Sequence, residues 1–183
     1  MKKKAGSFAF PPAAFIPFRD AKAVDRVRRL TRLQLARHPN PDFRITVVPG
    51  PEVEFLWITD MFFRIKEAME AGRDFVAIVP NPWPGYTKLA RMLNRARVDC
   101  RRLHTFNMDE YADENGRIAP LSWEFGFGHA FMKYFWSQLD RKLRPPEKQV
   151  HVFTDRNLKD YGRMLSDLGG ADICYSGPGW TGH

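Results

Sequence analysis

Residues 105–116 read TFNMDEYADENG, and the reading of this stretch decides whether the chain is built of βα units with chemistry at a strand end. Just upstream, RRLHTF (101–106) has the composition of a short strand, and it runs into Asn107, Met108 and the acids Asp109 and Glu110. A carboxylate at a strand end among aromatic residues can have a raised pKa and move protons. The same spacing fits a turn or helix opening, in which Asp109 caps backbone N–H groups and Glu110 is solvated. On the residues alone both readings stay open.

Outward from there, short apolar runs alternate with helical patterns. DFVAIV (74–79) reads as a buried strand bounded by Pro80, after a helix over Glu52–Ala71 stopped by Gly72. TKLARMLNRAR (87–97) is a helix with Leu89, Met92 and Leu93 on one side, and RITVV (44–48) a short strand. SWEFGFGHAFMKYFWSQL (122–139) reads as one helix, so aromatic that most of it should be buried. KQVHVF (148–153) and ADICYS (171–176) are strands flanking the helical NLKDYGRMLSDLGG (157–170), which Gly169 and Gly170 stop. The alternation predicts an α/β fold, a mostly parallel sheet with helices on both faces. Such sheets bind ligands outside the carboxyl ends of their strands, which selects three loops: PNPWPGY (80–86), NMDEYADENG (107–116) and GPGWTGH (177–183).

Composition narrows the classes. At 44% hydrophobic and 14% aromatic over 183 residues, the chain is too apolar for a disordered protein and long enough for a sizeable core. Cys100 and Cys174 stand far apart, which argues against a disulfide framework or a zinc site and for a reducing, cytoplasmic setting. MKKKAGSFAFPPAAFIPF (1–18) opens like a signal peptide, but prolines break it, and no run reaches the roughly 18 residues of a membrane helix. A soluble protein without a membrane partner is expected. The net charge of +8 favours phosphorylated or polyanionic partners. Much of the excess lies in DAKAVDRVRRLTRLQLARH (20–38), where Val24, Val27 and Leu30 recur at helical spacing and the arginines face elsewhere. A solvated helix face accounts for this better than nucleic acid does, since no RNP, KH or zinc-finger pattern is present.

GPGWTGH, with the serine before it, matches GxGxxG through Gly177, Gly179 and Gly182. A dinucleotide fingerprint opens an early βαβ unit and has an acid about 20 residues onward, so NAD is rejected. A glycine-rich turn can still bring backbone close to a ligand and aim His183 at it, or be a simple tight turn. In PNPWPGY, Pro82 and Pro84 remove N–H donors that a phosphate loop would offer. Histidines 38, 104, 129, 151 and 183 show no HxxxH or HExxH spacing, so no metal site is predicted.

TFNMDEY resembles the segment that follows a strand in the glucosamine-6-phosphate deaminase (isomerase) family. GPGWTGH is similar to that family's G-x-G-x-D-G-H turn, preceded here as there by a GGxD stretch, Gly169, Gly170 and Asp172. Phe131, Met132, Phe135 and Trp136 resemble a further family pattern. The likeness covers about residues 44–183, leaving 1–43 as a basic extension. It implies a Rossmann-like fold and conversion of glucosamine 6-phosphate, or a related amino sugar phosphate, to a ketose phosphate and ammonia, with no metal or organic cofactor. It implies hydrolase and isomerase classes in carbohydrate metabolism.

In that reading Asp109 is the base that takes a proton from C2 and returns one to C1 through an enediol-type species. His183 assists ring opening, and Glu110, Tyr111, Gly177, Gly179, Thr181 and Gly182 shape the substrate site. Thr181 stands where the family has an aspartate, PNPWPGY where it has a small-residue phosphate loop, and the segment after the DEY acids is longer. Against the family, the domain is expected to be cut short at His183. Rival readings are a non-catalytic sugar-phosphate sensor, a nucleic-acid-binding protein using Lys2–His38, and a sugar-acid lactonase. Self-association through 123–136 is an alternative to simple burial.

Overall fold

The computed structural model describes residues 20–80 and 83–177. The chain divides into two compact units, Pro49–Ser176 and the remainder. In the second of these, Asp20 accepts the Ala23 N–H at 3.0 Å and starts α1 (Ala21–Arg28). Thr31 and Gln34 form a reciprocal capping box that opens α2 (Arg32–Leu35). The arginine-rich pattern is therefore two short helices, and none of residues 20–48 is buried. RITVV forms no strand, contrary to the sequence reading. A run of β-branched residues gains ladder hydrogen bonds only beside a partner strand, and these five residues pair with none among the described residues.

The Pro49–Ser176 unit opens with α3 (Gly50–Glu70), whose inward row Ile58, Met61, Ile65 and Ala68 is buried at helical spacing. Gly72 ends it in the left-handed region at φ 67°. Next come β1 (Phe75–Val79), α4 (Tyr86–Arg95), β2 (Leu103–Asn107), α5 (Phe127–Tyr134), β3 (Val150–His151), α6 (Tyr161–Asp167) and β4 (Ile173–Cys174). The four strands are parallel in the order β3-β2-β1-β4. β1 and β2 match over their full length, from Phe75 against Leu103 to Val79 against Asn107.

Alternation along β2 sorts its side chains. Leu103 joins the core of α3 and α4 with Leu89, Leu93 and Phe131. Phe106, on the other face, stacks on His151 at 4.1 Å and meets Tyr161 of α6 edge-on at 5.4 Å. Helices thus cover both faces, as the sequence predicts. Each buried Leu or Phe here contributes roughly 1.5–3 kcal/mol by removal from water.

The aromatic stretch 122–139 departs from its single-helix reading. α5 holds only eight residues, a turn closed by Trp123 N–H on the Pro120 carbonyl precedes it, and a 3₁₀ turn at Trp136–Gln138 follows. Gly126 and Gly128 lower helix propensity at the start. Burial is divided as well: Phe131 and Phe135 are fully buried, whereas Trp123 is 40% and Phe125 68% exposed.

Candidate active site at the strand ends

Because β1 lies between β2 and β4, the chain segments leaving all three strands emerge side by side. The Met108 N–H donates to the Val79 carbonyl at 2.9 Å and the Tyr175 N–H to the Ile78 carbonyl at 2.9 Å. Ser176 Oγ lies 3.8 Å from Met108 Sδ. The exits of β2 and β4 therefore touch across the end of β1, with exposed Asp109 one residue beyond Met108. Gly177 falls in the other unit, and a Cβ built on it would meet nothing within 4 Å. Gly179, Thr181, Gly182 and His183 lie outside the described residues, as do Asn81 and Pro82 of the loop after β1.

Each acid in the decisive stretch has a distinct position. Glu110 reaches forward to α5: Oε1 accepts the Phe127 N–H at 2.9 Å, Oε2 the Gly128 N–H at 2.7 Å, and Oε1 also the Tyr111 N–H at 2.9 Å. A charged acceptor at a helix N-terminus satisfies donors that have no partner within the helix and complements the helix dipole. Gly128 permits the approach, since a Cβ there would lie 3.3 Å from Glu110 Oε2. Asp113 builds a turn. Its Oδ1 accepts the Asn115 and Arg117 N–H groups, Gly116 takes φ 76°, and Ala112 pairs with Ile118. ADENG is thus the tip of a small hairpin, tied down where the Ile118 N–H donates to Asp155 at 2.7 Å. Tyr111, half exposed, packs on Phe127 and Trp123.

The described residues that lead into α4 pack among aromatic rings. Trp83 stacks on Trp57 of α3 at 4.0 Å with planes 6° apart, and Tyr86 meets both edge-on. Any Cβ on Gly85 would fall 2.2 Å from the Trp83 indole, so the bare backbone is what lets the ring fold over the start of α4. Tyr175, directly after β4, joins these rings and donates its hydroxyl to Asp60 Oδ2 at 2.6 Å, which also accepts from Arg64 Nε at 2.8 Å. Burial opposes ionisation of Asp60, but the hydrogen bonds from Arg64 and Tyr175 outweigh it and hold the carboxyl below its ordinary range. Burial, reinforced by the Asp60 carboxylate, pushes the Tyr175 phenol up. The sequence reading missed this group; the usable signal was Tyr175 standing immediately after a strand.

Beneath Asp109 the sheet carries further polar groups. Asn107 is 2% exposed, and neither atom of its side-chain amide has a hydrogen-bond partner among the described residues. Its carbonyl accepts from the Tyr161 hydroxyl, which also reaches the His151 carbonyl. His104 Nδ1 and His151 Nε2 approach to 3.4 Å on neighbouring strands. Among the described residues no three His, Cys, Asp or Glu side chains converge as a metal-ligand set, and no helix is long and apolar enough to cross a membrane.

No family model matches the chain. Curated proteins similar to it are glucosamine-6-phosphate deaminases. That of Caenorhabditis elegans is 28% identical over 130 residues, 66% of this chain and 45% of the relative. Those of Bacillus velezensis and Clostridium tetani are 31% and 26% identical, each over 54% of this chain and 39% of the relative. The chain thus spans less than half the length of these relatives. Among solved structures, a monomeric glucosamine-6-phosphate deaminase superposes with a TM-score of 0.57 at 16% identity, covering 71% of this chain and 52% of that one. At that identity the likeness shows the fold, and it agrees with the parallel α/β sheet. The resemblance carried by TFNMDEY is borne out by the three relatives. The hydrolase class is corrected, because all three are named for deamination.

Proposed function

We propose that this relative of the glucosamine-6-phosphate deaminases converts an amino sugar phosphate to a ketose phosphate and ammonia, with Asp109 as the base. The observation that carries the reading is the position of Asp109. It is held at the carboxyl end of β2, exposed, at the seam where the exits of β1, β2 and β4 meet. Its neighbour Glu110 is held by the Phe127 and Gly128 N–H groups at the start of α5, and Asp109 stands exposed at the end of β2.

A carboxylate over the C1–C2 edge of an open-chain amino sugar takes the C2 proton and delivers one to C1 through an enediol-type intermediate. One group can serve both steps when the substrate is held within hydrogen-bond reach. Glu110 acts by fixing the chain on both sides of the site. His183, by the family likeness, assists ring opening. The basic charge of the chain, +8, favours a phosphorylated substrate.

The second reading, a non-catalytic sugar-phosphate-binding relative, is favoured by Trp83, whose indole occupies the loop after β1 between two prolines that offer no N–H. One experiment separates the two: proton NMR of glucosamine 6-phosphate and of fructose 6-phosphate in D₂O with the protein and with Asp109→Asn. Deuterium entering C1 or C2, and lost in the variant, supports the isomerase reading. Binding of both sugars without labelling supports the sensor instead.

A further inference from the structure

A groove of about 550 Å³ opens on the hairpin that follows Glu110. Its walls combine two half-exposed aromatic rings, Tyr111 and Trp123, set edge to face at 5.6 Å, with Asp113, Asp155 and Arg117, the single cation among the described lining residues. Ligand sites are concave openings lined by apolar and aromatic side chains with a few convergent polar groups. An aromatic face presents negative charge that attracts C–H bonds and ammonium groups, while carboxylates accept from hydroxyl and ammonium donors. The backbone N–H groups of Asn115 and Arg117 take up Asp113 Oδ1 and that of Ile118 takes up Asp155 Oδ1, so both carboxylates are fixed in place before any ligand arrives.

From this geometry we propose that the groove is a second saccharide site, binding the pyranose ring of an unphosphorylated amino sugar. The ring stacks on Trp123 and Tyr111, and its ammonium and hydroxyl groups meet Asp113 and Asp155. Among the described lining residues, two carboxylates stand against one guanidinium, a net negative balance that selects an amine over a phosphate. The proposal stands apart from catalysis at Asp109, which is not among the groove residues.

Saturation-transfer NMR with glucosamine, glucose and glucosamine 6-phosphate tests it on the full chain. Expected are transfer to the ring protons of glucosamine, weaker transfer to glucose, and at least a tenfold loss of glucosamine affinity in Trp123→Ala. Trp123→Phe should retain most of the binding, and Asp109→Asn should leave it intact while abolishing deuterium exchange. Equal affinity for glucose and glucosamine, tighter binding of the phosphorylated sugar that survives Trp123→Ala, or no transfer to any sugar would overturn the proposal. So would a concentration-dependent dimer that Trp123→Ala dissolves without any effect of sugar, which would assign the groove to a second copy. Because exchange and binding are read separately, failure of the groove and failure of the Asp109 chemistry give different results.

Discussion

The loops that leave β1 and β2 start from adjacent, fully paired strands, and they end in opposite ways. After β2 a carboxylate ties the chain to the start of α5, so the loop is held by charge and backbone donors. After β1 a tryptophan folds back on α3 and α4, so the loop is held by ring packing. The first arrangement leaves Asp109 exposed at the strand end; the second packs the Trp83 ring against Trp57 and Tyr86. The proposed chemistry belongs to the β2 side, and the β1 side contributes packed aromatic rings. Four perturbations should separate the two sides.

Asp109→Asn has the largest expected effect. It keeps the shape of the side chain and removes its basicity, so labelling of C1 and C2 should fall by roughly 10² to 10⁴-fold. An unchanged labelling rate would move the chemistry off the β2 side altogether.

Trp83→Ala should strike the β1 side alone. Loss of a stacked, partly buried ring should cost about 3 kcal/mol in urea denaturation. If the indole does stand where a phosphate would go, inorganic phosphate should bind the variant more tightly than the parent. Glu110→Gln keeps the length but loses the charge at the α5 start, with an expected loss of about 2 kcal/mol; Glu114→Gln, at the hairpin tip, should be neutral. Equal losses at 110 and 114 would mean that the observed cap contributes nothing.

These contrasts also explain what the sequence could disclose. β1 and β2 were legible because each is a short run buried on two faces, and α3 because its apolar row repeats over twenty-one residues before Gly72. That Asp109 stands at a strand end followed from those runs. The part played by Glu110 did not, since its partners Phe127 and Gly128 lie 17 and 18 residues away and become neighbours only through the fold. RITVV failed for the related reason that a strand needs a neighbour, which no local pattern supplies. The aromatic run 122–139 misled because ring content signals burial without fixing which rings are buried, and Gly126 with Gly128 had already moved the helix start inward.

The smallest expected effect lies under the β2 side. Burial, partly opposed by Asp74, lowers the His104 pKa, and burial together with His104 brings His151 to about 4, below the ordinary 6.5. Both rings are thus neutral in the folded chain over a range where the unfolded chain binds protons. The stabilisation is complete above about pH 6.5 and is lost as pH falls toward 4. Since both rings are only partly buried, solvent screening reduces the loss to about 1 kcal/mol. His151→Phe preserves the stack on Phe106 and removes one titrating ring, so its urea midpoint between pH 7 and pH 4.5 should fall less than that of the parent. The Trp57–Trp83 stack has no group titrating in that window, so Trp83→Ala should leave the pH slope as steep as before. A slope unchanged in His151→Phe would show that the acid sensitivity originates outside the β2–β3 edge.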